Sequence, residues 1–179
     1  MKRIQFESRR LIMRPFKASD YQGWKCGIMG SKAAAAKSGP TALQFQAFRQ
    51  RFVRLAAADH AYVFGIFTKR GGVLVGTVDF QTYSRDDRDW ANLGYTIYER
   101  HRRKGYATEA ARAAIACGFE KLSYHRIEAA ILLDHHASIG VVEKSGMVRE
   151  GVRKNFWKDD NGWMDHVIYV VIKDDRVSL

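Results

Sequence analysis

The stretch Arg102-Arg103-Lys104-Gly105-Tyr106-Ala107-Thr108-Glu109-Ala110 lies between two segments of different periodicity. Before it, Asn92-Leu93-Gly94-Tyr95-Thr96-Ile97-Tyr98 reads as a strand. After it, Ala107, Ala110, Ala111, Ala114, Ile115 and Phe119 recur at spacings of three and four, the period of a helix with one apolar face. The order is therefore strand, basic glycine-containing turn, helix. The first N–H groups of a helix have no partner within it, and the helix dipole favours negative charge beside them. Gly105 lets a ligand approach the main chain, Ala107 is nearly as small, and the cations Arg102, Arg103 and Lys104 attract phosphate from a distance. The stretch reads as a cradle for a pyrophosphate. Taken alone, it also fits an exposed basic turn that caps an ordinary core helix. Neither Gly-x-Gly-x-x-Gly nor a P-loop ending in Gly-Lys-Ser/Thr occurs.

Outward from the cradle, the chain reads as one mixed α/β domain spanning residues 1–179. Residues 10–15 form an edge strand ending at Pro15, and Ser19 or Asp20 caps a helix running to Ile28. Thr41 caps a second helix running to about Ala58, in which Arg49, Arg51 and Arg54 alternate with Phe45, Phe48, Phe52 and Leu55. That helix reads as amphipathic with a solvated basic face. Strands at 62–67 and 73–80 flank Gly71-Gly72 as a hairpin, and residues 90–98 form the third strand of this meander. Residues 126–133 make a further strand, Ala137 to Ser145 a short helix stopping at Gly146, and 147–156 and 163–172 a last hairpin around Asp159-Asp160-Asn161-Gly162. The expected sheet has seven strands, mostly antiparallel, with about four helices and one β-α-β crossover at the cradle.

The composition narrows the function. Thirty basic against nineteen acidic residues give a net charge of +11, which favours anionic partners: nucleic acid, a ribosome surface or a phosphorylated cofactor. No apolar run approaches the ~20 residues a spanning helix needs, and the charged N-terminus does not read as a signal peptide. The two cysteines, Cys26 and Cys117, are far apart and fit no metal-ligand pattern, so neither a disulfide framework nor a metal is expected and a cytoplasmic setting fits. Cys117 reads as a packing residue within the cradle helix.

Several further motifs now line up in one order. Ser8-Arg9-Arg10-Leu11-Ile12-Met13-Arg14 opens the chain, Leu93-Gly94-Tyr95-Thr96-Ile97 precedes the cradle, and His135-His136-Ala137-Ser138, Glu143-Lys144-Ser145-Gly146-Met147 and Glu150-Gly151 follow it. Gly162-Trp163-Met164-Asp165-His166 comes last. Together they resemble the GNAT-fold N-acetyltransferases, close to the RimJ/RimL type that acetylates the N-termini of ribosomal proteins. His135 stands where the family has Asn and Met147 where it has Phe, a tolerable apolar swap. Segment 24–41 matches no family pattern.

The resemblance implies acetyl-CoA as co-substrate and no metal. Its pyrophosphate would lie on the main-chain N–H groups from Arg102, Arg103, Lys104 and Gly105 to Tyr106, Ala107 and Thr108. The pantetheine arm would pair with the strand edge at Tyr95, Thr96 and Ile97, and His135 would alter a contact to that arm. The reaction implied is direct attack of a primary amine on the thioester, with an N–H near Ile97 receiving the oxyanion. Ser138 holds the family position for protonating the departing thiolate, and first-turn hydrogen bonding in a helix is its other reading. Asp79 is the candidate base, acting through water, with a solvent-facing strand-end carboxylate as its other reading. Asn92 flanks the same cleft, His166 orients the last hairpin, and Glu109 stabilises the first turn of the cradle helix. The implied acceptor is the α-amino group of a protein, with ribosome association through the basic surface. A small amine (polyamine, amino acid or antibiotic) is the alternative, and a non-enzymatic nucleic-acid-binding domain the remote one. Monomer and dimer both remain open.

Overall fold

A computed structural model describes residues 4–30, 39–86, 88–159 and 162–173. Its strands are β1 (Phe6–Glu7), β2 (Leu11–Arg14), β3 (Ala61–Thr68), β4 (Leu74–Ser84), β5 (Trp90–Ile97), β6 (Arg126–Leu132), β7 (Val148–Asp159) and β8 (Gly162–Ile172). Its helices are α1 (Tyr21–Met29), α2 (Ala42–Ala57), α3 (Tyr106–Glu120) and α4 (His136–Lys144). One sheet runs in the order β1-β2-β3-β4-β5-β6-β8-β7. Every pair is antiparallel except β5 with β6, the two strands joined through α3.

The sheet has eight strands where the sequence suggests seven. The extra one, β1, is two residues long and pairs Phe6 with Met13, so residues 11–14 are not an edge. Two residues show no period. Phe6 is recruited by burial, its ring set edge-on to Phe64 at 5.0 Å. Asp20 takes the N-cap position of α1, but its carboxylate does not cap. It accepts two hydrogen bonds from Arg14, at 2.8 and 2.9 Å, and one from the Lys17 N–H at 2.6 Å. Thr41 does cap α2: it exchanges hydrogen bonds with Gln44 as a capping box. Residues 31–38 of the segment that matches no family pattern, and residues 160–161 at the tip of the last hairpin, lie outside the described residues.

Alternation along the strands sorts side chains onto two faces. Val78, Phe80, Leu93, Ile127 and Ile131 join Ala110, Ala111, Ala114 and Ile115 of α3 in the main core. On the other face, Trp24 of α1 and Phe45 of α2 pack against Phe67, Leu74 and Tyr98. Arg49 donates to the Phe16 carbonyl, whereas Arg51 and Arg54 face solvent, so the basic face of α2 is mostly solvated. Cys117 is a buried packing residue, and Met147 is buried in the core in place of the usual Phe.

Candidate active site

The site begins where two parallel strands separate. Residues 90–92 of β5 pair with 126–128 of β6, and the pairing stops there. Asn92 marks the fork: its Oδ1 accepts the Ala130 N–H at 3.2 Å. The Tyr98 N–H donates to the Val75 carbonyl on β4, so the antiparallel alternation turns Thr96 and Gly94 towards β4 as well. The main-chain groups of Leu93, Tyr95 and Ile97 then face the gap left by β6. An extended polar chain can add to such an edge.

At the end of β5 the chain makes a tight turn into α3. Arg103 and Gly105 both have positive φ, 60° and 77°, and Gly105 is the N-cap. A Cβ at Gly105 would stand 3.3 Å from Arg10 Nη2 in a left-handed backbone conformation, so position 105 favours glycine on two counts. The first N–H groups of α3, from Tyr106 to Thr108, open onto this turn. Arg103 and Lys104 are exposed beside it, whereas Arg102 donates through Nε to the Ile97 carbonyl at 3.2 Å and ties the turn back to the strand. These residues suit the diphosphate of CoA: helix N-terminal N–H groups, a small residue and two exposed cations with no ion-pair partner among the described residues, all within one turn.

Glu109 does more than stabilise the first turn of α3. Its carboxylate accepts from Ser8 Oγ at 2.7 Å and from Arg10 N and Nε at 2.6 Å each. Burial raises its pKa, and these hydrogen bonds outweigh that and hold it below the usual carboxylate range. The cradle helix is thereby clamped to the β1–β2 turn, with Arg10 also lying 4.8 Å over the Tyr106 ring.

Asp79 is not at a strand end. It lies mid-way along β4, opposite Gly94 of β5, on the face covered by α1 and α2. A Cβ at Gly94 would stand 2.7 Å from Asp79 Oδ2, so the carboxyl rests on bare backbone. Burial pushes its pKa up to about 6, and no cation among the described residues offsets this. Asp79 opens into a cleft of about 1150 Å³ with Trp24, Phe52, Leu55, Thr96 and Trp157 in its walls. The cleft's charged rim is Arg51, Arg102 and Glu99.

Ser138 lies in the first turn of α4 but does not cap it. Its Oγ is 2.8 Å from the Tyr95 hydroxyl, which also lies 3.1 Å from the Ser138 carbonyl oxygen. His135 is the N-cap of α4, exposed, with no capping hydrogen bond from its side chain. His166 is buried on β8, its Nδ1 3.3 Å from the Met164 carbonyl and its ring against Phe156, as a hairpin-orienting residue would be. The structure thus gathers Tyr95, Thr96, Ile97, Asp79 and the cradle around one strand fork. Ser138 joins them through Tyr95, while His135 stays at the rim.

Two features escaped the sequence. The Tyr95–Ser138 pair joins residues 43 apart on different elements, and no periodicity reports it. Glu128 is fully buried and accepts two hydrogen bonds from Arg153, at 2.7 and 2.9 Å, with Arg126 alongside. Only its position in an otherwise apolar strand hinted at a partner. Among the described residues no group of three His, Cys, Asp or Glu side chains could hold a metal, and no helix is long and apolar enough to cross a membrane.

The sheet thus forks between two parallel strands, a basic turn leads into the following helix, and a carboxyl-bearing cleft opens beside β4. The acetyltransferase (GNAT) domain profile matches residues 10–148, and the chain belongs to this family of acetyl-CoA-dependent N-acetyltransferases. It is 35% identical over 117 residues to the probable N-acetyltransferase YjcK of Bacillus subtilis, covering 65% of each chain. To the [ribosomal protein uS5]-alanine N-acetyltransferase of Escherichia coli it is 29% identical, over 64% of this chain and 59% of that one. Mycobacterium smegmatis RimJ, solved in complex with CoA-disulfide, shares the fold: TM-score 0.86 at 18% identity, over 97% of this chain and 90% of that one.

Proposed function

We propose that this protein moves the acetyl group of acetyl-CoA to the N-terminal α-amino group of a protein. The observation that carries this reading is Asp79, a carboxyl with its pKa raised to about 6 at the floor of an open cleft. An α-ammonium of pKa ~7.7–8.0 lies about two units above such a base, whereas a lysine side chain at ~10.4 lies more than four above it. The difference is roughly 3–4 kcal/mol against lysine. A multiply charged amine suits the cleft poorly, because its acids are Asp79 and Glu99 while Arg51 and Arg102 also line it. The net charge of +11 would draw the enzyme to acceptors displayed on an RNA-rich surface, and the likeness to the uS5-alanine enzyme agrees with a ribosomal acceptor.

In this mechanism Asp79 takes the amine proton through water. The N–H groups of β5 that face the gap, including that of Ile97, receive the oxyanion, and Ser138 protonates the leaving sulfur. The cradle from Arg102 to Thr108 holds the diphosphate, so that binding far from the reacting carbon fixes the thioester beside Asp79. The test is acetyl-CoA consumption across peptides of differing N-termini, Nα-blocked lysine peptides, polyamines and an aminoglycoside. The fastest turnover is expected on a free peptide N-terminus. A polyamine or aminoglycoside outpacing every peptide would overturn the protein-acceptor reading in favour of a small-amine enzyme.

A further inference from the structure

Tyr95 contributes twice to the strand fork. Its main chain faces the gap, while its side chain leaves the other face of the sheet and ends against the first turn of α4. There its hydroxyl lies 2.8 Å from Ser138 Oγ and 3.1 Å from the Ser138 carbonyl oxygen. A phenol carries one proton and can donate it to only one of these. The shorter contact is to Oγ. At rest both contacts are met when Tyr95 donates to the carbonyl oxygen and Ser138 Oγ donates to the Tyr95 oxygen. Turning the phenol proton onto the nearer Oγ frees the proton of Ser138 to point away from the ring.

Acid strength says why this pairing matters. An aliphatic alcohol is about as weak an acid as water, pKa ~15.7, whereas a thiol sits near 8.5. A lone serine giving its proton to a thiolate would therefore work against a gap of about seven pKa units. A phenol, at about 10, narrows that gap to roughly two.

We infer that Tyr95 is the proton source behind Ser138, the phenol proton passing to Ser138 Oγ as the serine protonates the departing CoA thiolate. This rests on the acetyltransferase reading and on Ser138 as its acid. The step balances. The amine lone pair forms the C–N bond, the C–S bond breaks with its electron pair on sulfur, sulfur takes the Ser138 proton, and Oγ takes that of Tyr95. Asp79 holds the proton lost by nitrogen, and water returns one to Tyr95 before the next turnover. Nothing is oxidised or reduced. Burial raises the Tyr95 phenol and the hydrogen bond with Ser138 lowers it, with no charged side chain acting on it. It stays protonated through the neutral range.

The test compares Tyr95→Phe, Ser138→Ala and the double variant. Each single change should lower kcat by about 10²-fold while KM for acetyl-CoA and the calorimetric Kd of CoA stay within about twofold. The double variant should be no slower than the slower single, because the two hydroxyls act as one acid. Replacing Tyr95 with 3-fluorotyrosine, which keeps the ring and acidifies the phenol, should retain turnover and move the alkaline limb of kcat to lower pH. Without turnover, its ¹⁹F resonance should shift on CoA saturation when Ser138 is present and not in Ser138→Ala. Wild-type kcat in Tyr95→Phe, multiplying losses in the double variant, or a resonance blind to CoA would overturn the relay. If Ser138→Ala is slow and Tyr95→Phe is not, the relay alone fails. If Ser138→Ala is also unimpaired, Ser138 is not the acid either.

Discussion

At the scale of single residues, the Asp79–Gly94 pair sets the chemistry of the cleft. The carboxyl is held on bare backbone, no cation among the described residues offsets its burial, and its pKa rises to about 6. The sign of the consequence follows from proton counting. Below pH ~4 the folded and unfolded chains both hold the proton. Between ~4 and ~6 the folded chain keeps a proton that the unfolded chain has lost, so stability falls as pH rises, and above ~6 the loss is complete. Asp79→Asn should therefore stabilise the protein at pH 8, by at most about 3 kcal/mol, with the gain vanishing near pH 4. The same variant should lower kcat and abolish an acidic limb near pH 6 in the rate profile. Denaturant titrations at the two pH values and a pH–rate series check both halves, and an acidic limb that survives in the Asn variant removes Asp79 as the base.

At the scale of elements, the unit that matters is β5, its turn and α3. The turn needs Gly105 in a left-handed conformation, and its position depends on a clamp from a distant part of the chain. Glu109 reaches from α3 to Ser8 and Arg10, 101 and 99 residues away in sequence. Hydrogen bonds to a charged group are worth ~1.5–3 kcal/mol each when partly buried. Glu109→Ala should cost about 2 kcal/mol of stability, since water replaces some of what is lost. It should also weaken CoA binding by roughly tenfold, equivalent to about 1.4 kcal/mol, as α3 shifts from the β1–β2 turn. Calorimetry with CoA and thermal unfolding on the same sample read the two effects. CoA affinity unchanged in a destabilised variant would mean that the clamp serves the fold alone.

At the scale of the whole molecule, the half of the sheet beyond the fork is stitched together by charge. Glu128 on β6 is fully buried between Arg153 of β7 and Arg126, and Arg126 in turn pairs with Glu150 of β7 at 2.6 Å. β7 neighbours β8 and not β6, so these side chains bridge across a strand. Removing one partner of a buried ion pair leaves an uncompensated charge and costs ~3–5 kcal/mol. Because both arginines are partly exposed, Glu128→Ala should cost roughly 3 kcal/mol, measured by urea titration. A loss under ~0.5 kcal/mol, ordinary for a surface site, would show that the arginines simply rehydrate.

The sequence alone determined the order of the elements other than β1, the crossover and the basic turn that leads into α3, because each rests on local signals. Those are the helical period of Ala107 to Phe119, a capping Thr41 ahead of α2, and the small residues in a basic turn. It also pointed to Asp79 and Ser138, through a resemblance whose motifs run in order along the chain. It missed β1, since two residues carry no period, and it left Asp79 and Ser138 each with two readings. Those readings turn on surroundings that only the tertiary structure supplies. The pKa of Asp79 depends on what buries it, and the partner of Ser138 is a phenol brought from another strand. Glu109 and Glu128 likewise look like ordinary charges until the fold places arginines beside them. Periodicity is a property of neighbours in sequence, whereas burial, ion pairing and proton affinity belong to neighbours in space.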